Sequence, residues 1–496
     1  MRSRAFQAGL VLLVIWLAFG VRLIEMRGRN LWFDESIEFN VARRPIQQVI
    51  GADRDSTHDP PLFSLALNLW MNNGQNDFNL QMLPVFFSVL AVAAVYNLGR
   101  RLFSLLVGWQ SALITAVAPR AVFYGQEVNQ YALVLLLAAL YPLLLERYLR
   151  RPSLVRLLPV VMTGAVAVLV HYELALYVAA LALVASVYLI WHVQHIERSQ
   201  LLCWIGGLSF VGLIGLGLFA SYTLPQLAAV PEGTVTARFS TGPVSLVSEV
   251  QNWLLQTVEI VRFLFWGFEP TDLKWFTVAL LILGIITGSL FHTNRRVVAY
   301  LAASLLVGYI AAGSGFWWYA HRYLWYAFPL CALLISAGVR SLSFGRMGRY
   351  GVLLSWGAAA ILIGLLISYL PLISGKPFFE TEQLGDVVKY VEAHRQSSDA
   401  IYVYYGARLA FTRYADPELV SVAVVEEWIR NWPAQEQKAK MWAVMGGKAR
   451  AWILFTHVYP GEDSNLLSRL NKKCRQIDEV KSAKAAGYLF DCATAE

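Results

Sequence analysis

The stretch that decides the fold is 8-AGLVLLVIWLAFGVRLIEMRGRNLWFDESIEFN-40. Its first half, from Ala8 to Ile24, is an apolar run close to the roughly 20 residues that a membrane-spanning helix needs. The basic MRSR start resembles that of a signal peptide, but no small-residue cleavage site follows the run, so we predict an uncleaved first helix. Its second half places two adjacent carboxylates, Asp34 and Glu35, just beyond that helix.

The rest of the chain has the same apolar character. Of its 496 residues 57% are apolar and only 15% are charged, and its mean hydropathy is +0.50, outside the range of soluble domains. The composition therefore predicts a polytopic α-helical membrane protein. We find about eleven candidate spans, near residues 6–25, 80–98, 102–119, 129–147, 157–171, 173–191, 202–221, 274–292, 297–313, 323–339 and 350–369.

The positive charge follows the pattern that fixes membrane topology. The formal net charge is +8, and the arginines gather in short loops between the apolar runs. Because the arginines follow the membrane-topology pattern, the net positive charge does not indicate nucleic-acid binding. With a cytoplasmic N-terminus, the clusters fall on the cytoplasmic side and the C-terminal part is extracytoplasmic; the clusters are Arg100-Arg101, 147–156, 192–198, Arg295-Arg296 and 340–349.

Two parts of different composition follow from the charge density, which rises after about residue 375. We predict a membrane module over 1–374, with outer loops near 26–79 and 222–273, and an extracytoplasmic α/β domain over 375–496. The first loop contains an amphipathic helix interrupted by Pro45, and the second begins with a segment, 222–245, rich in turn-forming residues. Cys474 and Cys492 flank the end of the domain and can pair if it faces an oxidising compartment.

Within the C-terminal domain, helices and strands are predicted to alternate. Helices are expected at 383–395, 406–415 and 434–445, strands at 400–405, 419–425 and 451–457, and a further helix and a hairpin close the domain at 475–492.

No nucleotide loop, serine-hydrolase elbow or zinc-ligand pair occurs in the sequence. The glycines of 211-VGLIGLG-217 lie inside a span, where they indicate close helix packing. What remains is five groups of polar residues that the topology places at the outer ends of spans. They are Asp34 and Glu35; His58 and Asp59; Arg120, Tyr124, Gln126, Glu127 and Asn129; His171, Tyr172 and Glu173; and Tyr319, His321, Arg322 and Tyr323.

Each group also has a plain structural explanation. A carboxylate just outside a span is often a solvated loop residue, tyrosines at span ends form interfacial belts, and His171 can serve as a hydrogen-bonding residue in a packed turn. Ionisable groups at membrane depth are nevertheless costly, and five such groups on one face indicate a shared site.

These motifs resemble the GT-C superfamily of integral-membrane glycosyltransferases, particularly bacterial relatives of protein O-mannosyltransferases and lipid A aminoarabinose transferases. The matching pieces extend over about 6–340; they are LWFDES, HDPPLFSLALNLW, FYGQEVNQYAL, VHYELAL and HRYLWYAFPLCALL. The resemblance implies a bacterial inner or plasma membrane enzyme, a sugar donor carried on a polyprenyl phosphate, inversion at the anomeric carbon, and a glycan, lipid or protein acceptor. It also implies an acidic residue at the acceptor, which Asp34 matches, and a second one that Glu127 matches.

The chemistry of the residues agrees with these roles. A polyprenyl phosphate is already a good leaving group, and Arg322, with Arg120 and His321, supplies cationic or donor groups for its oxygens. An acceptor hydroxyl is a poor nucleophile and needs a carboxylate base, for which Asp34 is the best candidate. Glu35, His58, Tyr124, His171, Tyr172 and Glu173 are candidate supporting residues.

Three alternatives stay open at this point. Asp34, Glu127 and His58 also offer the oxygen and nitrogen ligands that a divalent cation such as Mg²⁺ or Mn²⁺ accepts. A lipid or solute transporter would also have many spans with polar residues, although the sequence lacks its internal duplication. A non-catalytic membrane scaffold would display the α/β domain and tolerate Asp34→Asn.

Overall fold

The fold was determined as a computed structural model. The structure describes residues 2–24, 26, 28–51, 60–192, 197–224, 258–266, 273–290, 295–313, 321–341, 348–376, 381–425, 450–458 and 461–492. The predicted loop segment 222–245 lies almost entirely outside these residues, and the predicted helix at 434–445 and the residues His58, Asp59 and Tyr319 lie wholly outside them.

Each predicted span coincides with a helix. These helices are α1 (Arg2–Leu23), α5 (Asp77–Leu102), α6 (Leu105–Val117), α8 (Tyr131–Arg150), α9 (Leu154–Val170), α10 (Tyr172–Trp191), α11 (Arg198–Leu218), α13 (Leu273–Leu290), α14 (Arg295–Gly313), α15 (Phe328–Ser341) and α16 (Gly348–Ser368). Within the described residues, seven helical stretches are long and apolar enough to cross a membrane, and three apolar helices are shorter. The predicted membrane architecture is therefore confirmed.

Short helices lie between the spans. They are α2 (Phe33–Ala42), α3 (Ile46–Ile50), α4 (Leu62–Trp70), α7 (Pro119–Tyr124), α12 (residues 258–266) and α17 (Pro371–Ser374), with 3₁₀ turns at Met71–Asn73 and His321–Ala327. Pro45 separates α2 from α3, as predicted, because proline cannot donate the backbone hydrogen bond that would continue α2.

The chain divides into two compact units. The membrane unit comprises Met1–Met26, Pro45–Gly74 and Asn79–Lys376. The second unit, which we call the outer unit after its predicted location, comprises Arg27–Arg44, Gln75–Phe78 and Pro377–Glu496. The sequence prediction placed the whole 26–79 loop with the membrane module, whereas α2 and residues 75–78 pack in the outer unit. The first loop is thus shared between the units.

In the membrane unit, α13 and α15 approach each other at two glycines. A Cβ on Gly284 would overlap the carbonyl oxygen of Leu334, and one on Gly338 would overlap that of Leu280. Within the described residues nothing lies within 4 Å of a Cβ built on Gly212 or Gly217. A Cβ on Gly215 would lie 3.6 Å from Val168 of α9, so among the described residues the packing predicted for 211–217 occurs at Gly215 as an ordinary contact and is less close than that at Gly284 and Gly338.

The outer unit contains a five-stranded mixed sheet in the order β2-β1-β3-β5-β4. Its strands are β1 (Ala400–Val403), β2 (Ala423–Val425), β3 (Arg450–Thr456), β4 (Arg475–Ser482) and β5 (Ala485–Asp491). β1 pairs in parallel with β2 and β3, and β5 pairs antiparallel with β3 and β4. The helices are α18 (Leu384–His394), α19 (Arg408–Tyr414), α20 (Pro417–Val422) and α21 (Glu462–Leu470).

Alternation along the strands builds a buried layer on each face of this sheet. Trp452 and Leu454 face a core that includes Val387 of α18, whereas Ile453 faces a second core with Phe490. The predicted α/β domain is confirmed, including its closing hairpin, whose ends are joined by a Cys474–Cys492 disulfide.

The strand predicted at 419–425 is wrong over its first half. Residues Pro417–Val422 form α20, and only Ala423–Val425 are extended. Pro417 occupies the first position of the helix, where its fixed φ angle and missing N–H favour a helical start. This local effect outweighed the β-branched residues that suggested a strand.

Candidate active site

The membrane unit holds a buried arginine within a group of aromatic rings. Pro119 starts α7 directly after α6, which places Arg120 in the interior, where only 2% of its surface is exposed. Its guanidinium carbon lies 4.3 Å from the ring centre of Phe263 and 5.0 Å from that of Tyr124. Aromatic faces attract a cation. These rings therefore hold a positive charge at the turn between α6 and α8.

The rings continue from α7 into α8 and the 3₁₀ turn at His321–Ala327. Tyr124 stacks on Tyr131 with 4.3 Å between ring centres and meets Trp325 edge to face at 4.9 Å. The indole N–H of Trp325 donates to the Tyr131 carbonyl at 3.0 Å. This bond joins the region of the predicted group around Arg120 and Tyr124 to the turn that carries the predicted group around Arg322 and Tyr323.

His171 links these rings to Arg322. Its ring centre lies 6.3 Å from that of Tyr131 and 6.4 Å from that of Tyr323, and the Arg322 guanidinium carbon lies 5.2 Å from the Tyr323 ring centre. His171 also caps the start of α10, because its Nδ1 accepts the backbone N–H of Glu173 at 3.4 Å. A continuous series of contacts thus runs from Arg120 to Arg322.

Glu127 is buried in the turn that follows α7, with 1% of its surface exposed. The side-chain amide of Asn129 donates to its Oε1 at 3.4 Å. The neighbouring Gln126 amide donates to the carbonyls of Arg22 at 2.9 Å and Ile24 at 2.8 Å, so the turn is tied to the end of α1.

Arg22 is a site-forming residue that the sequence analysis missed. It is fully buried, and its guanidinium donates to Ser88 Oγ at 2.7 Å and to four carbonyls, those of Ala18, Thr115, Ala116 and Ala121. Its only sequence signal was a single charge inside an apolar run. Arg22 connects α1 and α5 to the turn that carries Arg120 and Glu127.

The outer unit holds Asp34, the candidate base, on the first turn of α2. Asp34 is partly exposed, whereas Glu35 is fully buried. Glu35 accepts a 2.6 Å charged hydrogen bond from Arg29 Nη2 and a 3.1 Å bond from the backbone N–H of Trp32. Adjacent residues of a helix point about 100° apart. Glu35 is therefore used in capping α2, and Asp34 is the carboxylate of the pair that remains at the surface of this unit.

The C-terminal part of the outer unit holds α2 along its length. The Arg413 guanidinium carbon lies 4.0 Å from the Phe39 ring centre, and Arg413 Nε donates to Asp77 at 2.9 Å. The Tyr414 hydroxyl donates to Asp77 Oδ2 at 2.7 Å and accepts the Leu31 N–H at 2.6 Å. Burial raises the pKa of Tyr414 and the Asp77 carboxylate raises it further, so this hydroxyl stays a donor at neutral pH.

The structure brings together part of the predicted site. Residues of three groups, including Arg120, Tyr124, His171 and Arg322, lie in one series of contacts, and Glu127 lies in the same turn region. His321 and Tyr172 begin the neighbouring 3₁₀ turn and α10. Asp34 and Glu35 belong to the other unit, and His58 lies outside the described residues.

The three candidate metal ligands are not brought together among the described residues. Among the described residues no group of three or more His, Cys, Asp or Glu side chains is arranged to hold a metal ion. The three candidate ligands comprise Asp34 in one unit, Glu127 in the other and His58 outside the described part of the chain.

Comparison with known proteins shows a family match over part of the chain and a shared fold over most of it. Residues 58–219 match the family model of dolichyl-phosphate-mannose-protein mannosyltransferase, a glycosyltransferase, which is the predicted enzyme class. The chain shares the fold of solved ArnT and oligosaccharyltransferase structures, in agreement with the GT-C-like fold that the sequence motifs predicted. No curated protein sequence gives a match.

Three solved structures illustrate the similarity. ArnT from Cupriavidus metallidurans in the apo state is 12% identical with a TM-score of 0.53, covering 99% of each chain. ArnT bound to undecaprenyl phosphate has 12% identity, a TM-score of 0.51 and coverage of 97% of this chain and 98% of that one. The Archaeoglobus fulgidus oligosaccharyltransferase in complex with zinc and sulfate has 12% identity, a TM-score of 0.52 and coverage of 89% and 67%.

Proposed function

We propose that this protein transfers a sugar from a polyprenyl-phosphate-linked donor to an acceptor on the outer side of the membrane. The observation that carries the proposal is the series of contacts from Arg120 to Arg322, which places two permanent cations among aromatic rings in one unit. This arrangement occurs in a fold whose solved examples include ArnT with undecaprenyl phosphate bound. The acceptor class stays open among glycan, lipid and protein.

The two arginines act on the leaving group. As the bond between the anomeric carbon and the phosphate oxygen breaks, the bonding pair stays with the phosphate. Guanidinium groups are always charged and donate several hydrogen bonds in a plane, so they stabilise the charge that develops there. Arg120 is held in advance by Phe263 and Tyr124, so little reorganisation accompanies the step.

Asp34 acts on the acceptor. Its carboxylate accepts the proton of the acceptor hydroxyl while that oxygen forms the new bond to the anomeric carbon. The base and the cations serve opposite ends of a single displacement, and such a displacement inverts the anomeric centre. The partly exposed position of Asp34 suits a group that must meet a substrate, whereas Glu35 is fully buried.

The first prediction concerns these residues directly. Purified protein is incubated with a panel of radiolabelled polyprenyl-phosphate sugars and with membrane or peptide acceptors. General-base removal typically costs about 10²–10⁴-fold in rate, so Asp34→Asn is expected to lower turnover by that amount while the protein still folds. Arg322→Ala is expected to weaken donor use, because it removes a cation from the leaving side.

Matched controls test whether these losses are specific. Asp416→Asn changes an exposed carboxylate of the same outer unit, and Arg151→Ala changes an exposed arginine at the end of α8; both should transfer at the parent rate. Equal transfer by Asp34→Asn would rule out Asp34 as the base and would leave the transfer activity itself in place. No transfer by the parent protein from any donor would contradict the proposed activity.

A further inference from the structure

The carboxyl ends of β1 and β3 lie where the strand order of the sheet reverses. The chain leaves β1 to form β2 on one side and later forms β3 on the other side, in parallel with β1. In open α/β sheets, such a reversal of strand order opens a crevice at the carboxyl ends, where ligands commonly bind. His457 directly follows β3 and stands at this edge.

The first outer loop occupies this edge. The Phe33 ring stacks on the His457 imidazole with 4.1 Å between ring centres and an angle of 11° between planes. The indole of Trp32, one residue earlier, lies 6.3 Å from the same imidazole. The position where an open sheet ordinarily holds a ligand is therefore filled by residues next to Asp34.

Glu382 joins the two partners. Its Oε2 accepts the backbone N–H of Phe33 at 3.1 Å, and its Oε1 lies 3.0 Å from His457 Nδ1. Only 4% of Glu382 is exposed. The Phe33 N–H belongs to the first turn of α2, where backbone donors lack helical partners and attract a carboxylate. A single side chain thus caps α2 and orients the ring beneath Phe33.

The backbone of His457 indicates that this arrangement is held against a local cost. Its φ angle is +51°, in the left-handed region that non-glycine residues seldom adopt. Such a conformation costs about 1–2 kcal/mol per residue and persists where surrounding contacts compensate for it. The contacts of His457 with Glu382 and Phe33 are of this kind.

We propose that Glu382 and His457 are positioning residues for the transfer reaction. By holding Phe33, they fix the rotation of α2 about its axis and hence the direction of the Asp34 carboxylate, which is the next residue. This inference rests on the proposed function, because it assigns the C-terminal domain a task in the same step. A displacement of about 1 Å in a catalytic group can cost about a hundredfold in rate.

The test combines steady-state transfer with hydrogen exchange in the full-length protein. Glu382→Ala removes the acceptor for Phe33, and we expect turnover to fall about 10–100-fold while KM for the lipid-linked donor stays within about twofold. Glu382→Gln keeps an acceptor oxygen for the Phe33 N–H and should stay within about threefold of the parent. Amide exchange of residues 33–42 should accelerate in Glu382→Ala only.

Glu418→Ala is the matched control. This residue lies in the same unit, its side chain is 80% exposed, and it pairs with Arg395 away from α2. It should leave both turnover and exchange unchanged. A combination of Glu382→Ala with Asp34→Asn should be no slower than Asp34→Asn alone, because a residue that acts only through Asp34 has no effect once that carboxylate is gone.

The outcomes separate this inference from the function on which it rests. Unchanged turnover in Glu382→Ala, or a further loss when it is added to Asp34→Asn, overturns the positioning role while transfer by the parent protein still stands. A parent protein that transfers no sugar overturns the proposed function and the positioning role together. Unchanged exchange of residues 33–42 in Glu382→Ala shows that this carboxylate does not hold α2, and it overturns the inference by itself.

Discussion

At the scale of single residues, Arg22 is a buried charge in the membrane unit whose guanidinium donates to five oxygen atoms. A fully buried guanidinium there would be costly unless its donors were satisfied, and five oxygen acceptors surround it. Gly125 makes room for it, because a Cβ there would lie 2.6 Å from Arg22 Nε and 2.7 Å from Ser88 Oγ. The glycine and the arginine therefore form one structural feature.

The second prediction tests this contact between Gly125 and Arg22. Gly125→Ala forces Arg22 and Ser88 to move, and overpacking of this kind typically lowers stability by about 1–3 kcal/mol. Arg22→Leu removes the side-chain hydrogen bonds to these five buried oxygen atoms and should cost about 2–4 kcal/mol. Unfolding by denaturant in detergent micelles measures both.

The double variant provides the decisive comparison. With Arg22 gone, the added methyl group of Gly125→Ala has space, so the combined loss should be smaller than the sum of the two single losses. Arg151→Leu, at an exposed position, is the control and should change stability little. Strictly additive losses would show that Gly125 and Arg22 do not share this space.

The sequence revealed some residues well and could not reveal others. Asp34 and Glu35 look equivalent as neighbours in the sequence, whereas the structure leaves Asp34 partly exposed and buries Glu35 fully, in contact with Arg29 and Trp32. Arg22 was hidden because one charge in an apolar run does not show which acceptors will surround it. Arg120, Glu127 and Arg322 could be proposed from the sequence because the predicted topology places their turns on one side of the membrane.

At the scale of elements, the hydropathy pattern was sufficient to predict the helices, since the cost of an unpaired backbone in lipid leaves few choices. The pattern was not sufficient to predict which helices pack most closely. That depends on glycines facing each other, as Gly284 and Gly338 do between α13 and α15. The strand predicted at 419–425 was wrong over its first half for a local reason, because Pro417 starts a helix there.

The third prediction tests this helix pair. Gly284→Ala places a methyl group on the carbonyl oxygen of Leu334, a backbone atom that cannot move without shifting α15. We expect a loss of at least about 1–3 kcal/mol in stability, measured by the same denaturant titration.

Gly212→Ala in α11 is the matched control. Within the described residues nothing lies within 4 Å of its added Cβ, so stability should be unchanged or slightly higher. Equal effects of the two variants would mean that α13 and α15 do not depend on close backbone approach.

At the scale of the whole molecule, the chain crosses between its two units several times near the N-terminus. Contacts such as that of the Asn30 backbone with Gln383 join residues 353 positions apart. Local sequence patterns carry no information about such pairings. The α/β domain itself could be predicted from alternating segments, whereas its contact with the first loop could not.

The fourth prediction concerns the compartment of the outer unit. Cys474 and Cys492 form a disulfide, and such bonds persist on the oxidising side of a membrane. After denaturation without reductant, a maleimide reagent should label two cysteines, Cys203 and Cys331, and after reduction it should label four. The maleimide is present from the moment the protein is extracted from membranes, so that free thiols are blocked at once. Mass spectrometry then counts the labelled cysteines. Four labelled cysteines before reduction would contradict an extracytoplasmic outer unit.

The sharing of the first loop has a practical consequence for exchanging parts between related transferases. A chimera cut only near residue 376 would replace Glu382, His457 and Arg413 while leaving their partners Phe33, Phe39 and Asp77 behind. The outer unit is discontinuous in sequence, because it is made of residues 27–44, 75–78 and 377–496. A functional swap must therefore carry all three pieces, and substitutions in the two short N-terminal pieces are expected to be accompanied by matching changes more than 300 positions away.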